Sequence, residues 1–231
     1  MKHSIYKLVK SRQWDVGWLI LGFALVIVSA VHDWPGQIQA VWATSLIGGF
    51  LGMTIVLLFA NQKGKLGSGL GVVGAGFDTF NYYNYGALGN VFVGVYCGLL
   101  YLKGFFTLGK DIKVTKTTNL NLVIALGLAV VGGVVLYFFA DTILPEGAPL
   151  WVLVLNVAIF LVQVISQYLM VEGKAISWIG WIIANFMNIA LNGYFVSIGT
   201  SGALIYLAMT VMYQLNSFKA AFLWYGYGEE E

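Results

Sequence analysis

Charge is what this chain has least of. Only 10% of its 231 residues are Asp, Glu, Lys or Arg, against about 25% in a soluble domain. A water-facing surface cannot be built over such a length, which excludes a soluble domain, a nucleic-acid module and a disordered chain. One cysteine, Cys97, excludes a disulfide framework and a multi-cysteine metal site. The two histidines, His3 and His32, lie outside the long apolar runs, so no buried Ser–His dyad or histidine-based metal site is available. Gly67-Ser68-Gly69 has no base beside it, and the glycine-rich stretch that contains it lacks the lysine context of a phosphate-binding loop. Enzyme chemistry is therefore disfavoured, and no cofactor is expected. What is present in quantity is apolar: 59% of residues are hydrophobic and the mean hydropathy is +0.83. This is the composition of a polytopic membrane protein.

A helix needs about 20 mostly apolar residues to cross the hydrocarbon core. Eight stretches qualify: 16–31, 40–60, 66–84, 86–107, 120–140, 149–171, 176–197 and 201–222. Turn chemistry or charge separates most of them, as at His32-Asp33-Trp34-Pro35-Gly36 and Pro145-Glu146-Gly147. Reading through the two uncharged breaks, near Tyr85-Gly86 and Thr200-Ser201-Gly202, makes helices too long for one crossing. With eight spans all 12 Lys and Arg fall on one side, and the opposite loops hold only Asp33, Asp141 and Glu146 as charges. By the positive-inside rule both termini are cytoplasmic. The basic start, apolar run and Val28-Ser29-Ala30 also resemble a signal peptide with its cleavage site. We read 1–36 as a basic segment with a peripheral helix.

Offsetting the chain by 116 positions superposes the fourth span on the eighth. Gly86-Ala87-Leu88 then meets Gly202-Ala203-Leu204, Val95 meets Val211, Leu99 meets Leu215, Lys103 meets Lys219 and Phe106 meets Phe222. The expected division is a first three-helix repeat at 37–107, a loop and linker helix at 108–148, a second repeat at 149–225 and an acidic tail at 226–231. The linker makes the two repeats parallel. Internal repeats in the membrane commonly belong to transporters, with the substrate site between the halves.

Ionisable groups inside spans are functional candidates by default, and Asp78 is the clear case. It is read either as functional or as a structural or wet carboxylate near the outer surface. So few carboxylates argue against ion coupling. Amides and aromatics carry the larger signal. Trp178, Trp181, Asn185, Asn188 and Asn192 share one face of the seventh span. Asparagines there face protein or a hydrated cavity, because lipid offers no hydrogen bonds. They are either helix–helix glue or the lining of a site, and the five-member stripe favours a lining. Partner stripes are Asn156, Phe160, Gln163 and Gln167 on the sixth span, and Phe77, Asn81 and Asn84 on the third. The eighth adds Tyr206, Thr210, Tyr213 and Ser217, with Gln214 beside them. Amides address hydroxyls and carboxamides, while tryptophan faces attract a ring or delocalised cation. Trp14, Trp18, Trp34, Trp42, Trp151 and Trp224 lie near span ends and are read as interface anchors.

The run Trp178-Ile179-Gly180-Trp181-Ile182-Ile183-Ala184-Asn185 has the pattern Trp-x-x-Trp-x-x-x-Asn. With eight spans and two parallel three-helix repeats, residues 40–225 resemble the PnuC family of bacterial vitamin transporters. The resemblance implies a three-plus-one-plus-three fold like that of the SWEET sugar transporters, duplicated in one chain. It further implies a homotrimer in the bacterial inner membrane carrying nicotinamide riboside by facilitated diffusion, with cytoplasmic phosphorylation trapping the vitamin. Only Trp178, Trp181 and Asn185 come from the motif. Asn188, Gln163, Asn81, Asn84, Phe77, Asn156 and Tyr213 complete the expected site from helix faces alone. Thiamine, riboflavin or a sugar on the same fold is the nearest alternative, and a non-transporting receptor the next.

Overall fold

Apolar runs with turn residues only at their ends fold as long helices, since a helix satisfies its own backbone where water is absent. The computed structural model describes residues 2–34, 39–84, 88–138, 149–200 and 202–226. A short helix α1 (Lys2–Val9) precedes eight long ones: α2 (Arg12–Asp33), α3 (Gln39–Ala60), α4 (Gly64–Asn84), α5 (Leu88–Thr107), α6 (Asn119–Phe138), α7 (Leu150–Val171), α8 (Ser177–Ser197) and α9 (Ala203–Trp224). Each long helix has 20 to 22 residues, about 30 Å at 1.5 Å per residue and so long enough for one crossing. Five of them, α2, α3, α6, α7 and α8, are apolar enough over that length to count as membrane spans by composition too. Glycines and Asp78 dilute α4, and Gln214, Asn216, Ser217 and Lys219 dilute α9. The expected breaks at Tyr85-Gly86 and Pro145-Glu146-Gly147 and the acidic tail lie outside the described residues.

Helix neighbours form a closed circuit. α3 packs on α4, α4 on α5, α5 on α7, α7 on α8, α8 on α9, and α9 returns to α3. α6 lies outside this ring against α7, and α2 lies outside it against α3 and α9. Small residues set the closest approaches. Where a Cβ would stand on Gly71, the Tyr101 ring is 2.6 Å away, so the ring of α5 packs directly on the α4 backbone. Gly52 of α3 likewise leaves room for the Tyr213 hydroxyl of α9. Val95, Leu99, Val211 and Leu215 are all exposed on the outside of the bundle, where lipid covers apolar side chains without cost.

One end of the bundle gathers the lysines. Lys219 of α9, its side chain fully buried, pairs with Asp15 of α2, whose other oxygen accepts from Asn61, just past the end of α3, at 2.9 Å. Lys103 pairs with Glu172. Residues 108–118 then cross this end as a strap. The Ile112 N–H donates to Gln62 O at 2.6 Å, and Lys63 pairs with Asp111 at 2.5 Å. Further along, the Thr115 N–H donates to Gly173 O at 3.0 Å, and buried Lys174 donates to Thr115 Oγ1 at 2.8 Å and Lys116 O at 3.1 Å. Gly173 adopts φ +68° with Lys113 O close to where a Cβ would stand, which reserves the position for glycine.

Three tryptophans read as interface anchors are instead helix-to-helix donors. Trp18 Nε1 donates to Met212 O at 3.2 Å, Trp42 Nε1 to Ala30 O at 2.9 Å, and Trp224 Nε1 to Phe59 O at 3.1 Å and Ala60 O at 3.2 Å. Trp18 and Trp224 are buried. The acceptors of Trp42 and Trp224 lie in the last turns of α2 and α3, where carbonyls have no intrahelical partner, so those two indoles have a reason to turn inward. α2 thereby contributes more than an anchor: Trp18, Val26 and Ala30 share a core cluster with Met53, Ile205, Met209 and Met212.

Candidate functional site

A cavity of about 430 Å³ runs inside the ring, and all six ring helices line it while α2 and α6 do not. Its volume is in the range of small-molecule sites, about 300–1,000 Å³. At the lysine-rich end its floor is apolar: Phe59, Met170 and Trp178 line it and pack with Ile112 of the strap and Trp224. From there it reaches Phe195, exposed Thr200 and Ala203 around the α8–α9 turn at the opposite end.

α8 supplies the longest polar wall. Trp178, Trp181, Asn185, Asn188 and Asn192 all line the cavity, as the helical spacing predicts. The Nε1 groups of Trp178 and Trp181 are buried without a hydrogen-bond partner. A buried N–H without an acceptor costs about 1–3 kcal/mol, so these two donors are open to an acceptor from a ligand. The asparagines combine the two roles weighed from the sequence. Asn185 Nδ2 donates to Ser217 Oγ at 3.0 Å and Asn192 Nδ2 to Thr210 Oγ1 at 3.2 Å, joining α8 to α9. Asn188 Nδ2 donates back to Ala184 O of its own helix at 2.9 Å.

α9 continues the wall with Tyr206, Thr210, Tyr213 and Ser217, the whole stripe read from its spacing. Gln214 is buried beside it without a partner and does not line the cavity. From α7 only Gln163 and Met170 reach the space. Asn156 is turned to its own helix, donating to Val152 O at 2.8 Å, and Phe160 packs with Leu136 and Val164. Gln167 is buried, and neither end of its amide has a hydrogen-bond partner among the described residues.

The third stripe is rotated away. Asn81 is buried with its carbonyl oxygen 2.5 Å from the Thr44 hydroxyl and its Nδ2 unpartnered, outside the cavity wall. Phe77 is half-buried and does not line it, and the side chain of Asn84 lies outside the described residues. The face of α4 that does line it is Gly71, Gly74, Ala75 and Asp78. Spacing of one turn and two turns from Asp78 carries that face in the sequence, but its small residues give no polar signal. α5 adds Val93, Gly94, Cys97 and Tyr101, and α3 adds Gly48, Gly52 and Ile55. Among the described residues no lysine, arginine or histidine lines the cavity, and no group of three or more His, Cys, Asp or Glu is placed to hold a metal ion.

Residues 42–226 match the sequence profile of a family described as nicotinamide mononucleotide transporter. The crystal structure of the vitamin B3 transporter PnuC aligns with a TM-score of 0.71 at 18% identity, covering 95% of this chain and 93% of that one. At that identity the likeness establishes a shared fold. No curated protein sequence matches the chain.

Proposed function

Because the chain belongs to the nicotinamide mononucleotide transporter family, a family of multi-pass membrane proteins, we propose that it carries nicotinamide riboside across the bacterial inner membrane by facilitated diffusion. The observation that carries this reading is the cavity: indole, amide and hydroxyl groups on α8 and α9, with no basic residue on its wall among the described residues. The riboside offers a ring, a carboxamide and ribose hydroxyls, which indoles and amides can answer. A phosphate would find no cation there, which favours the riboside over the mononucleotide of the family's name.

In this reading Trp178 and Trp181 bound the ring or close the site, and Asn185, Asn188, Gln163 and Tyr213 bind ribose or carboxamide. Asn81, Phe77 and Asn156 belong to the wider expected set and act behind the wall, and Asn84 belongs to the same expected set. Alternating access is supported by a cavity that reaches Thr200 and is floored by Trp178, Phe59 and Met170. The strap and the lysine-rich end face the cytoplasm, where phosphorylation traps the vitamin.

Eight spans with both termini inside complete the arrangement. The two repeats are α3–α5 and α7–α9, joined by α6. Exchanging them maps every contact of the ring onto another, and brings Lys103 onto Lys219, each ion-paired at the same end. The protein assembles as a homotrimer in lipid, which native mass spectrometry tests. Uptake of labelled riboside into liposomes tests transport. Wild type transports it and Asn185→Leu, folded, does not; normal uptake by that variant removes the site. Thiamine or riboflavin uptake in place of riboside keeps the fold and moves the substrate.

A further inference from the structure

Among the described residues Asp78 is the one charged residue on the cavity wall, and the riboside reading leaves it without a role. It makes no hydrogen bond or ion pair among the described residues. A carboxylate inside a bundle ordinarily has a donor, because an unpaired buried charge is costly. Its surroundings leave it open. Gly48, Gly74, Ala75, Gly94 and Cys97 line the wall around it, and a Cβ on Gly48 would stand 3.8 Å from Asp78 Oδ1.

Its position in the ring is the second observation. α4 and α8 lie three places apart in the circuit of six, so Asp78 faces the tryptophan and asparagine stripe across the cavity. Both helices start at the lysine-rich end, and Asp78 is as far along α4 as Leu191 is along α8. It therefore stands level with Asn192, nearer the Thr200 end than either tryptophan. We infer that Asp78 is the charge-selecting residue of the site: it attracts a positively charged, delocalised ring of the N-ribosylpyridinium class entering from that end and disfavours neutral or anionic relatives of the same shape. The inference rests on the riboside reading.

A unit charge about 10 Å from a carboxylate, at an effective dielectric of about 20, is favoured by about tenfold or more in affinity. Two ligands isolate this effect: nicotinamide riboside, and its reduced dihydropyridine form, which keeps the carboxamide and ribose but has no ring charge. Calorimetry on the purified full chain in detergent reads the ratio of their affinities. Wild type binds the cationic form about tenfold or more tighter. Asp78→Asn brings the ratio to within about twofold of unity, and Asp78→Glu, which restores the charge, restores the preference.

A purely structural Asp78 weakens both ligands together and leaves the ratio unchanged, which overturns the inference while the riboside reading stands. A wild-type ratio near unity overturns it without any variant, so a variant that fails to fold does not protect it. Binding of neither riboside form, with thiamine bound instead, overturns the riboside reading and this inference with it.

Discussion

The polar groups at the lysine-rich end and those in the cavity obey different rules, though both lie inside one bundle of helices. At the lysine-rich end the buried cations have partners: Lys219 has Asp15, Lys174 has Thr115 and Lys116, and the Trp224 indole has two carbonyls, while the neutral Trp14 indole and the Ser68 and Ser177 hydroxyls there have none. In the cavity the Trp178 and Trp181 indoles have none, and Asp78 stands uncapped. Desolvated polar groups are normally satisfied; the paired cations hold the fold, and of the unpartnered groups the two indoles face the cavity, whereas Asn81, Gln167 and Gln214 lie behind its wall. The asparagines sit at the border, each with its amide nitrogen bonded while the residue still lines the space.

Substitutions at the two regions should therefore separate stability from binding. The largest loss of stability is expected for Asp15→Ala, which leaves a fully buried lysine without its counter-charge. Breaking a buried pair from one side costs about 3–5 kcal/mol, read as a drop in thermal unfolding temperature in detergent. Adding Lys219→Met to that variant should recover most of the loss, since the stranded charge is gone. Lys174→Met removes two charge-assisted bonds to the strap and should cost about 1.5–3 kcal/mol. Trp224→Phe loses the donor to Phe59 O and Ala60 O for about 1 kcal/mol.

Trp181→Phe should lie within about 0.5 kcal/mol of wild type, because its indole N–H has no protein acceptor to lose; a larger loss would blur the distinction between the regions. The smallest effect is expected at Asp111→Asn, an exposed partner of Lys63. The Lys63 hydrogen bond, with the charges of Lys63 and Lys110 adding, holds the Asp111 carboxyl below its ordinary range. A lowered folded value means the contact contributes above the ordinary carboxylate range and is lost as pH falls through the lowered one. Unfolding scans of wild type and Asp111→Asn should therefore converge in acid.

Much of this was legible in the amino-acid order. The eight long helices coincide with the eight apolar stretches to within a few residues, because hydropathy and turn residues act locally. The α8 and α9 stripes were legible for the same reason: three amides or four hydroxyl-bearing and aromatic residues at helical spacing leave a helix one face to bury. α4 was not. Its amides, Asn81 and Asn84, point the reading to one face, while packing turned the glycine face with Asp78 inward because only that face lets α5 and α3 approach. The inward tryptophans were also illegible, since a span-end indole reads the same whether its N–H meets a headgroup or the carbonyls of a neighbouring helix. The strap rests on contacts between residues about 50 to 60 positions apart, which no local pattern in one sequence carries.

The most direct test of the central claim, that the unpartnered indoles are reserved for a ligand, is to measure riboside affinity and thermal stability together. The proteins are wild type, Trp178→Phe and Trp181→Phe. The account predicts that Trp181→Phe unfolds within about a degree or two of wild type, that Trp178→Phe, which also gives up packing in the floor cluster, unfolds lower, and that each binds nicotinamide riboside about tenfold or more weakly, the cost of an unmet hydrogen bond in a dry site. Unchanged affinity in both variants, or in Trp181→Phe a fall in stability that tracks the fall in affinity, would contradict it.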